Sequence, residues 1–284
     1  MKADKARKAL QPRKTEPPVS PGKLLSMGST LLNLACSGSP LGAFSPGHYY
    51  FFVGDSASGK TWLCLNTFAE AVLHPFYKNH RLIYDNVEDG ALMNFSQYFG
   101  ERLAARLEPP ALDKGEPRHS TIIEEFYDNV DDAIKDGRPF IYMLDSMDAL
   151  SSEDEQSKYQ EQKNARRKGK EAAGSYGDGK AKKNSGNLRR LLSDLRKTGS
   201  ILVIISQTRD NIGFGAQFNP KTRAGGRALK FYATLELWTE IKQKLHANIR
   251  GQKRHVGILA QVRVKKNRQT GKEPVVQVPI YHSY

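Results

Sequence analysis

The chain has 284 residues, of which 38% are hydrophobic and 26% charged, a composition typical of a globular protein with a buried core. It contains no run of 18 apolar residues, which excludes a membrane-spanning helix, and its basic N-terminus lacks the apolar segment of a secretory signal. The net charge of +14 indicates a polyanionic partner, because each phosphate that a protein neutralises releases counterions. We therefore expect a cytoplasmic protein that binds nucleic acid.

The positive charge is concentrated in two segments of the chain. Residues 158–183 contain nine Lys/Arg and three acids, and residues 241–272 contain ten Lys/Arg and no acid. A generally basic, solvated surface is the alternative interpretation, but clustering of this kind favours nucleic acid. Cys36 and Cys64 lack the spacing of a metal site, so we interpret them as free thiols, most simply buried ones.

The distribution of apolar residues predicts an α/β fold. Residues 1–24 are basic and poorly patterned, which indicates a flexible arm before a core at 25–284. Helical or polar segments separate short apolar runs, and the first such segment is a helix over about 59–73. The apolar runs lie at 48–53, 81–85, 140–145 and 200–206. Strands that are apolar on both faces and alternate with helices predict a mostly parallel central sheet flanked by helices.

Two polar segments interrupt this alternation. Residues 151–186 are rich in Gly, Ser and Lys and show no periodicity, and residues 208–226 contain four glycines and no apolar repeat. Long loops of this kind in a compact domain are usually functional or disordered. After residue 226, three alternating runs predict a C-terminal antiparallel extension of the sheet.

The sequence GDSASGKT at 54–61 has the G-x-x-x-x-G-K-[ST] pattern of a phosphate-binding loop, and it lies between a predicted strand and a predicted helix. The motif consists of Gly54, Asp55, Ser56, Ala57, Ser58, Gly59, Lys60 and Thr61. Glycines allow the backbone N–H groups to surround the phosphates of ATP, and the helix N-terminus adds a partial positive charge. Lys60 is expected to reach the β- and γ-phosphates, and the Thr61 hydroxyl to bind Mg²⁺.

Hydrolysis of ATP also requires a carboxylate on the metal side and a base for the attacking water. Asp145 ends a predicted parallel strand, the expected position of the Mg²⁺-side aspartate, although an ordinary helix cap is the alternative. Glu88 follows the strand at 81–85 and is our choice of base. Asp85 and Asp89 remain open as alternatives at this stage.

With these motifs in place, the chain resembles the RecA recombinases from about Leu25 to its end. LSMGSTLLNLACSG and the stretch leading into the phosphate loop are similar to the opening of that family, and LDSMDAL (144–150) is similar to its second nucleotide motif. IISQTRDNIGFG followed by GGRALKFYATLEL is the most specific similarity. QVRVKKNR (261–268) resembles the basic strand of the family at its subunit interface. The resemblance implies a homo-oligomeric, ATP-dependent protein that binds single-stranded DNA, and also duplex DNA, in homologous recombination.

The resemblance also implies roles for individual residues. Glu88 becomes the catalytic glutamate, Phe95 an aromatic that stacks on adenine, and Gln207 the sensor of the γ-phosphate. Lys266 and Arg268 would reach the γ-phosphate on the next subunit. Residues 151–186 and 208–226 become the first and second DNA loops. The implied DNA contacts are Ser185, Arg189, Arg209, Ile212, Gly225 and Gly226.

The chain departs from the family at three places. Residues 1–24 do not clearly resemble the arm by which the family's subunits clasp each other, 151–186 carries a lysine-rich insertion, and no extra C-terminal domain is recognised. A filament is nevertheless favoured over a ring. A hexameric helicase-type motor and a nucleotide-gated annealing or mediator protein are the competing functions.

Overall fold

The fold is built around one large sheet whose central strands are parallel. The computed structural model describes residues 20–90, 93–167, 179–210, 221–223 and 226–281. The strands are β1 Tyr49–Gly54, β2 Arg81–Asn86, β3 Leu107–Glu108, β4 Ala111–Asp113, β5 Glu116–Arg118, β6 Phe140–Asp145, β7 Ile201–Asp210, β8 Lys221–Arg223, β9 Leu235–Ile249, β10 Gln252–Asn267 and β11 Val275–Tyr281. The four apolar runs of the sequence correspond to β1, β2, β6 and β7. The predicted fold class is therefore confirmed.

The strand order is β11-β10-β9-β1-β7-β6-β2-β3, with β8 beside β7. The strands from β9 to β3 in this order pair in parallel, and β10 and β11 extend the sheet in antiparallel pairing. The registers Gly54↔Gln207 and Asn86↔Asp145 bring residues near the carboxyl ends of four strands to the same edge. Ligands of open α/β sheets bind beyond this edge.

Helices cover both faces of the sheet. They are α1 Thr30–Ser37, α2 Lys60–Leu73, α3 Phe95–Phe99, α4 Glu101–Ala104, α5 Ile123–Lys135, α6 Glu153–Arg167, α7 Gly179–Thr198 and α8 Arg227–Tyr232. Leu32 of α1 and Phe68 of α2 belong to a core on one face, and Phe126 of α5 and Leu191 of α7 belong to a core on the other. Each central strand contributes to both cores, which explains its unbroken apolar sequence. Within the described ranges, none of the helices combines the length and apolar character that a membrane crossing requires.

The interpretation of 151–186 as a loop was wrong for its two ends, since α6 and α7 occupy most of it and only 168–178 lie outside the described residues. Helix α6 has no buried residue, so no apolar periodicity marks it in the sequence. Its acids lie in the first turn and its arginines in the last, which complements the helix dipole. The core begins slightly before the predicted boundary at residue 25, because Leu24 is already buried. Residues 1–19 of the predicted arm lie outside the described residues.

Strands β9 and β10 continue beyond the sheet as a two-stranded ribbon. Pairing of β9 with β1 ends at Thr239, and pairing of β10 with β11 begins at Gly257, so residues between about 241 and 256 pair only with each other. This ribbon contains much of the basic segment recognised in the sequence. Its cations Lys242, Lys244, Arg250, Lys253 and Arg254 are exposed.

Candidate nucleotide-binding site

The phosphate loop turns tightly between β1 and α2. Ala57 and Gly59 adopt left-handed φ angles of 57° and 89°, which let the chain reverse before the helix begins at Lys60. A Cβ on Gly54 would lie 2.1 Å from the Thr239 hydroxyl oxygen and 2.5 Å from the Thr239 carbonyl oxygen, so only glycine fits at this position. The strand-loop-helix context predicted for the motif is therefore present.

Lys60 places its ammonium group inside this loop. Its Nζ donates to the carbonyl oxygens of Gly54 at 3.0 Å and Asp55 at 2.7 Å, and the residue is 7% exposed. Burial lowers the pKa of Lys60 from its usual value, while nearby carboxylates of Asp145 and Glu88 oppose that shift. The loop thus holds a cation that is desolvated and available to phosphate oxygens.

Thr61 and Asp145 lie next to each other on α2 and β6. The Thr61 hydroxyl donates to Asp145 Oδ2 at 2.6 Å, and the Tyr84 hydroxyl donates to the same atom at 3.2 Å. Burial raises the pKa of the Asp145 carboxyl above its usual value. Hydroxyl and carboxylate oxygens are ligands that Mg²⁺ accepts, and it normally takes further oxygens from water and phosphate. These two side chains therefore fit the predicted metal position beside the loop.

Glu88 is the candidate base, and its carboxylate faces this group of residues. The Ser146 hydroxyl donates to Glu88 Oε1, and Gln207 Nε2 donates to the same oxygen at 2.9 Å. The Glu88 backbone N–H also donates to the Asp145 carbonyl at 3.1 Å, which fixes the turn after β2 to the end of β6. The structure thus brings Glu88, Asp145 and Gln207 together, three residues that lie far apart in the sequence.

The two alternatives for the base are placed differently. Asp85 is fully buried and accepts hydrogen bonds from the Ser120 backbone and hydroxyl, at 3.0 and 2.6 Å, and from the Tyr142 hydroxyl at 2.7 Å. These bonds occupy its carboxylate in the core. Asp89 lies in the exposed turn after β2 with a φ of 49°. Of the three carboxylates, the contacts with Gln207 and Ser146 favour Glu88.

Phe95 opens α3 on the neighbouring side of β2. Its half-buried ring lies 6.3 Å from the Tyr84 ring in an edge-to-face arrangement and 6.4 Å from the Phe99 ring. The ring belongs to the edge of the core and leaves part of its surface open. Its predicted stacking on adenine stays a prediction.

The residues predicted to bind DNA fall into three groups. Arg209 lies on β7 with a side chain that is 62% exposed, while Ile212 and Gly225 lie outside the described residues. Gly226 precedes α8 with a φ of 80°, and a Cβ there would lie 2.6 Å from the Ala181 Cβ. The third group is on α7.

On α7, Ser185 is half-buried and Arg189 is exposed. Arg189 Nε donates to the Tyr232 hydroxyl at 3.1 Å, which connects α7 to the end of α8. Both residues therefore lie on a helix rather than in a loop. Their predicted contacts with a DNA backbone stay predictions.

Lys266 and Arg268 converge, but not through strand alternation as the sequence indicated. A register shift separates Val264 from Lys266, and β10 ends at Asn267, so Arg268 lies beyond the strand. Both side chains donate to the Phe231 carbonyl, Lys266 at 2.7 Å and Arg268 at 2.6 Å. Carbonyl oxygens at the C-terminal end of α8 therefore accept hydrogen bonds from both cations.

Sequence reasoning missed several residues that shape this site. Ser146 and Asp148 lie in the LDSMDAL motif, where a hydroxyl and a second carboxylate after Asp145 were an available signal. The contacts of Asp55, a residue of the predicted phosphate loop, were also not foreseen: its carboxylate accepts hydrogen bonds from Thr208 and Lys221, on the strands that flank the predicted second DNA loop. Although burial acts in the opposite direction, these two donors lower the pKa of Asp55. No sequence pattern pairs residues so far apart.

Comparison with known proteins yields one family model and a set of relatives. The model of the RecA N-terminal domain matches residues 127–283, more than half of the chain. Proteins named RecA from Chlorobaculum parvum and Helicobacter pylori are 28% and 27% identical, over 87% and 86% of this chain. The alignments cover 61% of each relative, so the chain spans about three fifths of their length.

A crystal structure of the RadB recombinase shares the fold. The TM-score is 0.57 with 17% sequence identity, and the alignment covers 89% of this chain and 94% of the other. At this identity the likeness concerns the fold alone. Together with the family model, the topology and the phosphate loop lead to one conclusion: the chain belongs to the RecA family.

Proposed function

We propose that this protein is an ATP-dependent recombinase that hydrolyses ATP in response to single-stranded DNA and promotes homologous pairing and strand exchange. The observation that carries the proposal is the hydrogen bond of 2.9 Å from Gln207 Nε2 to Glu88 Oε1. This bond joins Gln207, at the start of the second candidate DNA loop, to Glu88, the candidate proton acceptor for hydrolysis. A change at either end therefore has a direct physical route to the other.

The chemistry follows from the positions of the side chains. Water attacks the γ-phosphorus, the bond from that phosphorus to the bridging oxygen breaks, and Glu88 accepts the proton of the water. Lys60 stabilises the charge on the transferring phosphoryl group, and Thr61 and Asp145 would hold Mg²⁺, which would neutralise charge on the phosphates. Gln207 orients Glu88 or contacts the γ-phosphate. Because the barrier is lowered mainly by charge and position, small shifts of these groups change the rate strongly.

The surface around this site supports a nucleic-acid partner. The net charge is +14, and the exposed Arg209 lies on β7 two residues after Gln207. Binding of a polyanion to such a surface is favoured by counterion release and decreases steeply with salt. We propose single-stranded DNA as the primary ligand of the second loop and duplex DNA as a further one.

ATP turnover with and without single-stranded DNA, measured beside a strand-exchange assay, tests this proposal. We expect single-stranded DNA to increase turnover severalfold and strand exchange to require ATP. Turnover that does not respond to DNA, combined with annealing that needs only bound nucleotide, would indicate a mediator instead. Closed rings in electron micrographs with ATP and DNA, in place of filaments, would indicate a helicase-type motor.

Lys266 and Arg268 provide a separate test of assembly. We propose that both reach the γ-phosphate held by Lys60 of the adjacent subunit, as an arginine finger does in trans. The Lys266→Ala/Arg268→Ala variant and the Lys60→Ala variant are each expected to be inactive alone. Mixed together, they should recover part of the turnover at mixed interfaces, and the specific activity of the wild type should rise with protein concentration. Co-assembly without any recovery would contradict the role in trans.

A further inference from the structure

We infer that Asp148 is a positioning residue that holds Gln207 against Glu88 and thereby makes ATP turnover respond to the DNA side of β7. The inference rests on the proposed function, because it assigns a residue that acts through Gln207. Asp148 lies in the turn after β6 and is none of the residues to which the sequence gave a role. Its contacts, rather than its position in a motif, carry the argument.

Asp148 replaces a strand partner that β7 loses. Pairing of β6 with β7 ends at Leu144↔Ile204, and one further bond runs from the Met147 N–H to the Ile205 carbonyl at 2.9 Å. Among the described residues, β6 pairs with no residue of β7 beyond Ile204. Asp148 Oδ2 accepts the Gln207 N–H at 2.7 Å and the Ser206 hydroxyl at 2.6 Å. The carboxylate thus continues the hydrogen bonding of the sheet up to the residue that touches Glu88.

The other carboxylate oxygen faces the DNA side. Asp148 Oδ1 is buried and has no hydrogen-bond partner among the residues that the structure describes, while Arg209 Nη2 lies 3.7 Å away. The Asp148 side chain is 11% exposed, whereas that of Arg209 is 62% exposed. Burying a carboxylate with one oxygen unpartnered is unfavourable, and packing alone would be satisfied by a smaller neutral residue. A positioning role accounts for a side-chain oxygen that accepts two hydrogen bonds at this point.

One carboxylate therefore contacts the two ends of a short segment. At one end, Gln207 donates the bond of 2.9 Å to Glu88. At the other end, Arg209 lies at the start of the second candidate DNA loop. When Arg209 turns to a DNA phosphate, the charge facing Asp148 changes while its bonds to Ser206 and Gln207 persist. Asp148 keeps Gln207 in register during this exchange, so that DNA binding alters the rate without releasing Glu88.

The test compares ATP turnover of Asp148→Ala, Asp148→Asn, Gln207→Ala and the Asp148→Ala/Gln207→Ala double variant, with and without single-stranded DNA. Asp148→Ala should lower the DNA-stimulated kcat by roughly 10- to 100-fold, as expected for a displaced catalytic group, with the KM for ATP unchanged. Asp148→Asn should recover most of the rate, because its amide oxygen accepts the same two hydrogen bonds. The double variant should equal Gln207→Ala, since Asp148 acts only through Gln207.

The outcomes separate this inference from the proposed function. A DNA-stimulated kcat of Gln207→Ala equal to wild type would refute the coupling in the proposed function, and the role of Asp148 with it. Suppose that Gln207→Ala is impaired, but the double variant is slower still, by the factor that Asp148→Ala alone loses. In that case, or if Asp148→Asn recovers none of the rate, only the inference is overturned. Thermal denaturation checks that each variant is folded. Asp148→Ser, whose hydroxyl is too short to reach the Gln207 N–H, takes the place of the alanine variant if that variant does not fold.

Discussion

Lys60→Ala is expected to reduce ATP hydrolysis by about 10²–10³-fold or more, because the loop loses the ammonium group that stabilises charge on the transferring phosphoryl group. Lys60 is 7% exposed, and its ammonium group is held inside the loop by the carbonyl oxygens of Gly54 and Asp55. Turnover measured by phosphate release at saturating ATP gives the result. A fluorescent ATP analogue reports nucleotide binding separately.

Lys78→Ala is the matched control for this variant. Lys78 is exposed and lies just beyond the end of α2, away from the phosphate loop. Its removal changes the net charge by the same amount and should leave hydrolysis at the wild-type rate. If Lys60→Ala retains more than a tenth of the activity, the assignment of the phosphate site is wrong.

Glu88→Gln is expected to slow ATP turnover by about 10²–10⁴-fold while nucleotide affinity changes little. The amide still accepts a hydrogen bond from Ser146, but it cannot take a proton from the attacking water. Single-turnover hydrolysis, with the affinity measured separately, distinguishes a lost chemical step from lost binding. Filaments trapped on DNA with unhydrolysed ATP would be a second sign of the same defect.

Asp85→Asn separates the two candidate bases. Asp85 accepts bonds from Ser120 and Tyr142 in the core, and an amide leaves one of these donors without its acceptor. We expect a loss of about 1–3 kcal/mol in the free energy of unfolding and turnover close to wild type at a temperature where the variant is folded. Should Asp85→Asn abolish turnover while Glu88→Gln is active, the choice of base is reversed.

The sequence predicted those features that local chemistry determines. Glycine spacing predicted the phosphate loop. Apolar runs that need cover on both faces predicted the strand ending at Asp145 and the parallel direction of the central strands. The hydrogen bond between Glu88 and Gln207 depends on β2, β6 and β7 being ordered in the sheet, which no local pattern encodes. The resemblance assigned roles to both residues without indicating that they touch.

Other features of the structure could not be predicted from the sequence, because they leave no apolar pattern in it. Lys266 and Arg268 appeared to share a strand face, but the register shift after Val264 and the end of β10 at Asn267 are invisible in the alternation. Asp55 and Lys221 belong to segments that only the pairing of β8 with β7 brings together. Helix α6 was hidden because a helix that contributes nothing to the core has no stripe of apolar residues to reveal it.

The exposure of α6 has a consequence for how the molecule opens. A helix of 15 residues is only marginally stable by itself in water, and tertiary packing normally supplies the rest of its stability. Since α6 buries no side chain, its backbone amides exchange with solvent through unwinding of that helix alone, whereas those of β1 and β6 exchange only when the sheet opens. The chain thus carries a helix of 15 residues whose order is nearly independent of the fold, and whose length can vary without weakening the core.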